Sequence, residues 1–175
     1  MKTRNDLLAM AAVTVAVALS GCSQQPGKVT GGGWIPSSSG VADDKANFGF
    51  NADSCDGSVH GHFNYHDKEA TAFQPGGVKM NGPVIESGLC SAIPDPNSPP
   101  CVCAEGEYEV EVAYRSTNPR FPGTGTAIAC VKDNGEGLGT TDTAGVLAVT
   151  TGPYTGYSNS GPVQGNIQAH SCPGQ

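Results

Sequence analysis

The run His60-x-His62-x-x-x-His66 is followed directly by Asp67. Two imidazoles one residue apart present their nitrogens on the same side of an extended chain, a spacing from which zinc or copper can be held. On a straight strand His60, His62 and His66 all project away from Phe63 and Tyr65, so the pattern puts them on a solvent-facing row. His60 and His62 could share one ion. His66 lies about 13 Å beyond His62 at roughly 3.3 Å per residue, out of reach of that ion unless the strand bulges. A full zinc site takes three or four ligands, and no spacing brings the remaining His170 to this row. The expectation is a polar sheet face, with metal binding as the alternative.

A second cluster, Asp133, Asn134, Glu136 and Asp142, has the oxygen-rich composition that calcium prefers. It lacks the regular acidic spacing and the terminal bidentate Glu of an EF-hand loop. Asn134-Gly135 also reads as a hairpin turn, in which both residues tolerate positive φ. Nucleophilic chemistry finds no frame: Gly156-Tyr157-Ser158-Asn159-Ser160 ends in Ser where a nucleophile elbow needs Gly. Glu107, Glu109 and Glu111 stand in one row of one strand, whereas glycoside hydrolysis needs two carboxyls facing across a cleft. The expectation is therefore no catalytic set and no resident cofactor, with zinc, copper or calcium as the alternatives to test.

Six cysteines, Cys55, Cys90, Cys101, Cys103, Cys130 and Cys172, form an even set, and three disulfides are expected in an oxidising compartment. Their pairing is open among fifteen connectivities. Cys101 and Cys103 sit slightly too far apart on an extended chain to bond each other, so different partners are expected. The tract from 87 to 106, rich in Pro and Cys, reads as a stapled surface loop.

The elements that must carry these residues are strands. Glu107 to Tyr114 alternates Glu with Tyr or Val, and Ala46 to Ala52 puts Phe48 and Phe50 on one side and Asn47 and Asn51 on the other. Val59 to His66 alternates likewise. Weaker strands are expected at Gly32 to Ile35, Gly77 to Ile85, Thr126 to Lys132, Gly145 to Thr150 and Asn166 to His170. About eight short strands, separated by Gly, Pro, Asn and Asp, predict an all-β fold, an antiparallel β-sandwich or barrel stapled by disulfides. With 25 Gly and 13 Pro in 175 residues, a helical bundle is excluded. One core is expected, in a single β domain over 31–172. The net charge of −7 argues against nucleic acid as a partner.

The first 21 residues carry Lys2 and Arg4 and then an apolar run from Leu7 to Leu19, too short to span a bilayer as a helix. They read as a signal peptide. The tetrapeptide Leu19-Ser20-Gly21-Cys22 resembles the lipobox of bacterial lipoproteins. That resemblance implies cleavage before Cys22 and acylation of Cys22, so that residues 22–30 form a lipidated tether and the membrane becomes a partner through the lipid. Ser23, where inner-membrane lipoproteins often carry Asp, implies an outer-membrane address in a diderm cell envelope. Loss of Lys2, Arg4 and Asp6 takes the mature chain to −8.

The series Gly31-Gly32-Gly33-Trp34-Ile35, Lys45 to Ala52, Gly61 to Asp67, Asp133 to Gly137 and Gly165-Asn166-Ile167-Gln168 resembles the post-COAP module of bacterial surface and secreted proteins. The resemblance implies a β-rich, non-catalytic accessory domain with a binding or structural role and an unidentified protein or carbohydrate ligand. The Cys-rich tract stands as an insertion in that pattern.

Overall fold

The computed structural model describes residues 23–93, 97–136 and 140–174. Ten strands form one antiparallel sheet: β1 (Ser23–Gln25), β2 (Lys28–Pro36), β3 (Lys45–Asp53), β4 (His60–Asp67), β5 (Val78–Ser91), β6 (Tyr108–Ser116), β7 (Thr124–Lys132), β8 (Thr143–Val149), β9 (Asn159–Pro162) and β10 (Gln164–His170). Their order is β10-β2-β3-β4-β5-β6-β7-β8-β9, with β1 paired to β5 off that path. Only Val163 separates β9 from β10. The segment 159–170 pairs with β8 through its first part and with β2 through its second. It therefore spans both edges and brings the sheet nearly to closure, which makes eight staves and decides for a barrel over a sandwich. Closure leaves little unpaired edge.

The alternation seen in the sequence is the alternation of the wall. Phe48 and Phe50 of β3, Phe63 and Tyr65 of β4, and Tyr108, Val110, Val112 and Tyr114 of β6 all point into the core. Phe48, Phe50, Phe63 and Tyr65 form a chain of ring contacts with centroids 6.2, 6.5 and 6.3 Å apart. Such pairs each contribute about 0.5–1.5 kcal/mol beyond area burial, so a few rings bind the adjacent staves together. At the closing seam Gly33 faces Gly165 with φ of +149° and +156°. A Cβ at Gly33 would meet the Gln164 carbonyl oxygen at 2.4 Å, so both strands need glycine there to approach.

Three expectations need correction. Residues 22–30 are not a tether over their described part: Ser23–Gln25 pair with Leu89–Ser91, and Val29 is fully buried. A three-residue strand shows no periodicity, and its polar Gln24 is buried against Glu109 rather than solvated. The domain therefore starts at or before Ser23, not at residue 31. The loop expected from residue 87 begins later, since β5 continues to Ser91. Finally, Asn134-Gly135 is not a tight turn with two positive φ values: Gly135 alone adopts one (+84°), within a longer connection between Lys132 and Thr143. Residues 1–21, expected to be a signal peptide, and Cys22 lie outside the described residues.

Candidate functional site

The cysteines pair as Cys55–Cys172, Cys90–Cys101 and Cys103–Cys130. Cys101 and Cys103 thus take different partners, as expected from their spacing. Among the described residues, the groups of three metal-ligand side chains with donor atoms within 4.8 Å are Cys90, Cys101 with Glu109 and Cys103, Cys130 with Glu107. Their sulfurs are bonded to each other and offer no thiolate.

Two buried carboxylates hold the wall instead of reacting. Asp67, at the end of β4, has no exposed surface. It accepts hydrogen bonds from Ser37 Oγ (2.5 Å), from Ser38 N and Oγ (3.0 and 2.7 Å) and from Tyr157 Oη (2.7 Å). Burial pushes its pKa up, but the donors together outweigh burial and hold the carboxyl below its ordinary range. Tyr157 in turn shares a 2.6 Å bond with Tyr65, which also accepts from Asn159. Burial, first of all, raises both phenols far above physiological pH, so they act as donors and never as bases. Glu109 sits under the Cys-rich tract, accepting from Gln24 Nε2 at 2.9 Å and from the backbone of Val102 and Cys103 at 2.7 and 2.9 Å. The Glu row is therefore interrupted: Glu109 is a strut, while Glu107 and Glu111 are half-buried.

The acidic residues proposed for calcium are also engaged. Asp142 accepts from Asn134 N (2.9 Å) and Ile167 N (2.8 Å), and Asp133 from Gly135 N (2.7 Å) and Ala169 N (2.9 Å). Ile167 and Ala169 belong to β10. The two carboxylates cap amides of the closing strand that face the gap beside β8. Glu136 is exposed. The geometry makes this cluster a seam between the β7–β8 connection and β10, a role that spacing alone did not show.

The His row does lie on the outer face of β4, with His60 and His62 exposed and His66 half-buried. It does not stand alone. Strand register sets Trp34, Asn47, His66 and Lys79 side by side across β2 to β5, and next to them Gly32, Gly49, Asn64, Asn81 and Arg115 across β2 to β6. A third line runs Thr30, Asn51, His62. Trp34, His62 and His66 thus share one polar surface, a juxtaposition set by non-local register and invisible to strand patterns. Lys45 Nζ lies 4.3 Å over the Trp34 ring, and Asn81 donates to Asn64 across the middle line. Burial and then Lys79 lower the His66 pKa, so its imidazole is neutral at physiological pH. His60 turns to the opposite end, 3.4 Å from Asp56, and lines a separate hollow with Asp53 and His170. The structure brings His170 toward His60, but among the described residues no three ligand atoms there lie within bonding range of one ion.

Two open hollows adjoin on this surface. One, of about 520 Å³, is floored by Gly49 and bounded by Asn47, Asn64, His66 and Lys79. The other, of about 560 Å³, is bounded by His62, Arg115, Thr124 and Thr151, and Asn81 belongs to both. Neither is lined by a carboxylate. The arrangement offers hydrogen-bond donors, acceptors and cations over a broad area, and no activated nucleophile beside a base. Comparison with protein-family models, with curated proteins and with solved structures finds no match to this chain.

Proposed function

We propose that this chain is a non-catalytic binding module of the cell envelope, tied to a membrane by a lipid on Cys22 and presenting the outer face of β2 to β6 to its ligand. One observation carries the reading. The buried carboxylates are spent on hydrogen bonds that hold the barrel, whereas the polar groups from Trp34 to Arg115 are laid out in register on an accessible face where the fold does not need them. Amide side chains offer paired donors and acceptors suited to the hydroxyls of carbohydrate. The resemblance to the post-COAP module points to the same accessory role. The lipobox supports the anchor, and a first strand starting at residue 23 would hold the barrel close to the membrane surface.

Two measurements test this. Cys22→Ser should move the protein from the membrane fraction to the soluble fraction; unchanged membrane retention refutes the anchor. Replacing Asn47, Asn64 and Asn81 together by Ala should leave the melting temperature within about 2 °C, as expected for surface positions, while abolishing retention on the insoluble polysaccharide fraction of the producing cells. If retention persists in that variant, this face is not the binding surface.

A further inference from the structure

We infer that the groove formed by the two adjoining hollows receives an acidic oligosaccharide, one bearing carboxylate groups along a hydroxylated chain. The inference rests on the reading of this face as a binding surface and names its ligand class. Charge is the first argument. The whole chain carries sixteen Asp plus Glu against nine Lys plus Arg, yet the groove is lined by Lys79 and Arg115 and by no carboxylate at all. Among the described residues, neither cation has a carboxylate within 4.0 Å; the ion pairs there are Lys28–Asp53, His60–Asp56 and Lys68–Glu69. Two cations free of acidic partners, in a strongly acidic protein, form a site complementary to anions.

Shape and chemistry narrow the anion to a glycan. Gly49 leaves open space where a side chain would stand, with nothing within 4 Å of the position its Cβ would take. Beyond Gly49 the middle line carries Asn64, Asn81 and Arg115, so the two hollows meet across a low amide ridge that both share through Asn81. From Gly49 on β3 to Thr124 on β7 the two hollows together cross four inter-strand spacings, about 19 Å at roughly 4.8 Å each, which suits a short chain better than a single sugar or a phosphate ion. The ridge and the walls offer Asn and Thr, partners for hydroxyls, between the two cations. A protein partner would need apolar anchors, but among the described residues the exposed large hydrophobics Val41, Ile85, Ile93 and Val102 all lie outside both hollows. A single-stranded nucleic acid would need a series of aromatic faces for its bases, whereas no exposed Trp, Tyr or Phe lines either hollow and the exposed ring there is the His62 imidazole.

Full-length protein in detergent micelles, titrated calorimetrically with hexamers of galacturonic acid or mannuronic acid, tests the inference. A hexamer of glucose and a twelve-residue oligothymidylate serve as neutral and polyanionic comparisons. Binding of a uronic hexamer at least tenfold tighter than of the glucose hexamer or the oligonucleotide is expected. Lys79→Gln with Arg115→Gln should erase that preference, and Gly49→Gln should fill the hollow over Gly49 and abolish binding with the melting temperature retained. Equal binding of the neutral hexamer, equal binding of the oligonucleotide, indifference to the double charge variant, or no uronic binding overturns the inference. If the neutral hexamer binds equally and Gly49→Gln abolishes it, the acidic ligand falls while the binding face stands. The face itself falls only if retention on envelope polysaccharide also survives the triple Asn variant.

Discussion

Asp67 shows how one side chain can fix the end of a barrel without a cation. No Lys or Arg pairs with it among the described residues, so four donors replace the lost water around a buried charge. The stabilisation has a defined sign in pH. Because the native carboxyl is held below the unfolded value of about 3.9, its contribution is complete above that value and is lost as pH falls through the native pKa. Asp67→Asn should cost about 3 kcal/mol near pH 6, since the amide nitrogen would meet donors only. The difference from wild type should shrink as pH drops from 5 to 2.5, read as the separation of the two urea midpoints. A separation independent of pH would show that Asp67 is not a charged strut. Tyr157→Phe removes a donor to Asp67 and a partner of Tyr65. A loss of about 1–2 kcal/mol, or roughly 5 °C in melting temperature for a domain of this size, is expected by calorimetry.

At the scale of the element, the decisive piece is the closing segment. The β10 amides of Ile167 and Ala169 turn away from β2 and find Asp142 and Asp133 in place of a neighbouring strand. Asp142→Ala should therefore raise the hydrogen-exchange rate of the Ile167 amide about tenfold, the equivalent of about 1.4 kcal/mol of local opening. Exchange at Phe63, deep in β4, should not change; an unaltered rate at Ile167 would mean that the carboxylate does not close the seam. The same segment marks the limit of what the sequence makes legible. β3, β4 and β6 were readable to within two residues because one face is apolar and the other is Asn, His or Glu. β9, Asn-Ser-Gly-Pro, has no alternation to read, and β1 is three residues long. The acidic cluster was visible as composition, but its role depended on where β10 returns, a contact across 25 to 36 residues. The His row could be placed on an outer face from β4 alone. Its alignment with Trp34, Lys79 and Arg115 could not, because strand order and register arise from long-range pairing.

For the whole molecule, the three disulfides divide into one long and two short links. Cys55–Cys172 spans 117 residues, joining the β3–β4 loop to the chain after β10. Cys90–Cys101 closes only 11 residues, within the tract that covers Glu109. In the chain-entropy treatment the long link restrains the unfolded chain by about 4.9 kcal/mol and the short one by about 2.8. That difference follows from the unfolded state, because each cystine joins one buried and one half-buried cysteine. The long link also fastens the chain after β10 to the end of β3, two strands away across β2, so losing it removes a restraint on the closing segment as well. The double substitution Cys55→Ala with Cys172→Ala should lower the urea midpoint more than Cys90→Ala with Cys101→Ala, by the equivalent of about 2 kcal/mol. The short-link variant should show its effect locally instead, as faster exchange of the Val102 and Cys103 amides that Glu109 accepts. If the two variants melt alike, loop length does not govern the stability of this barrel.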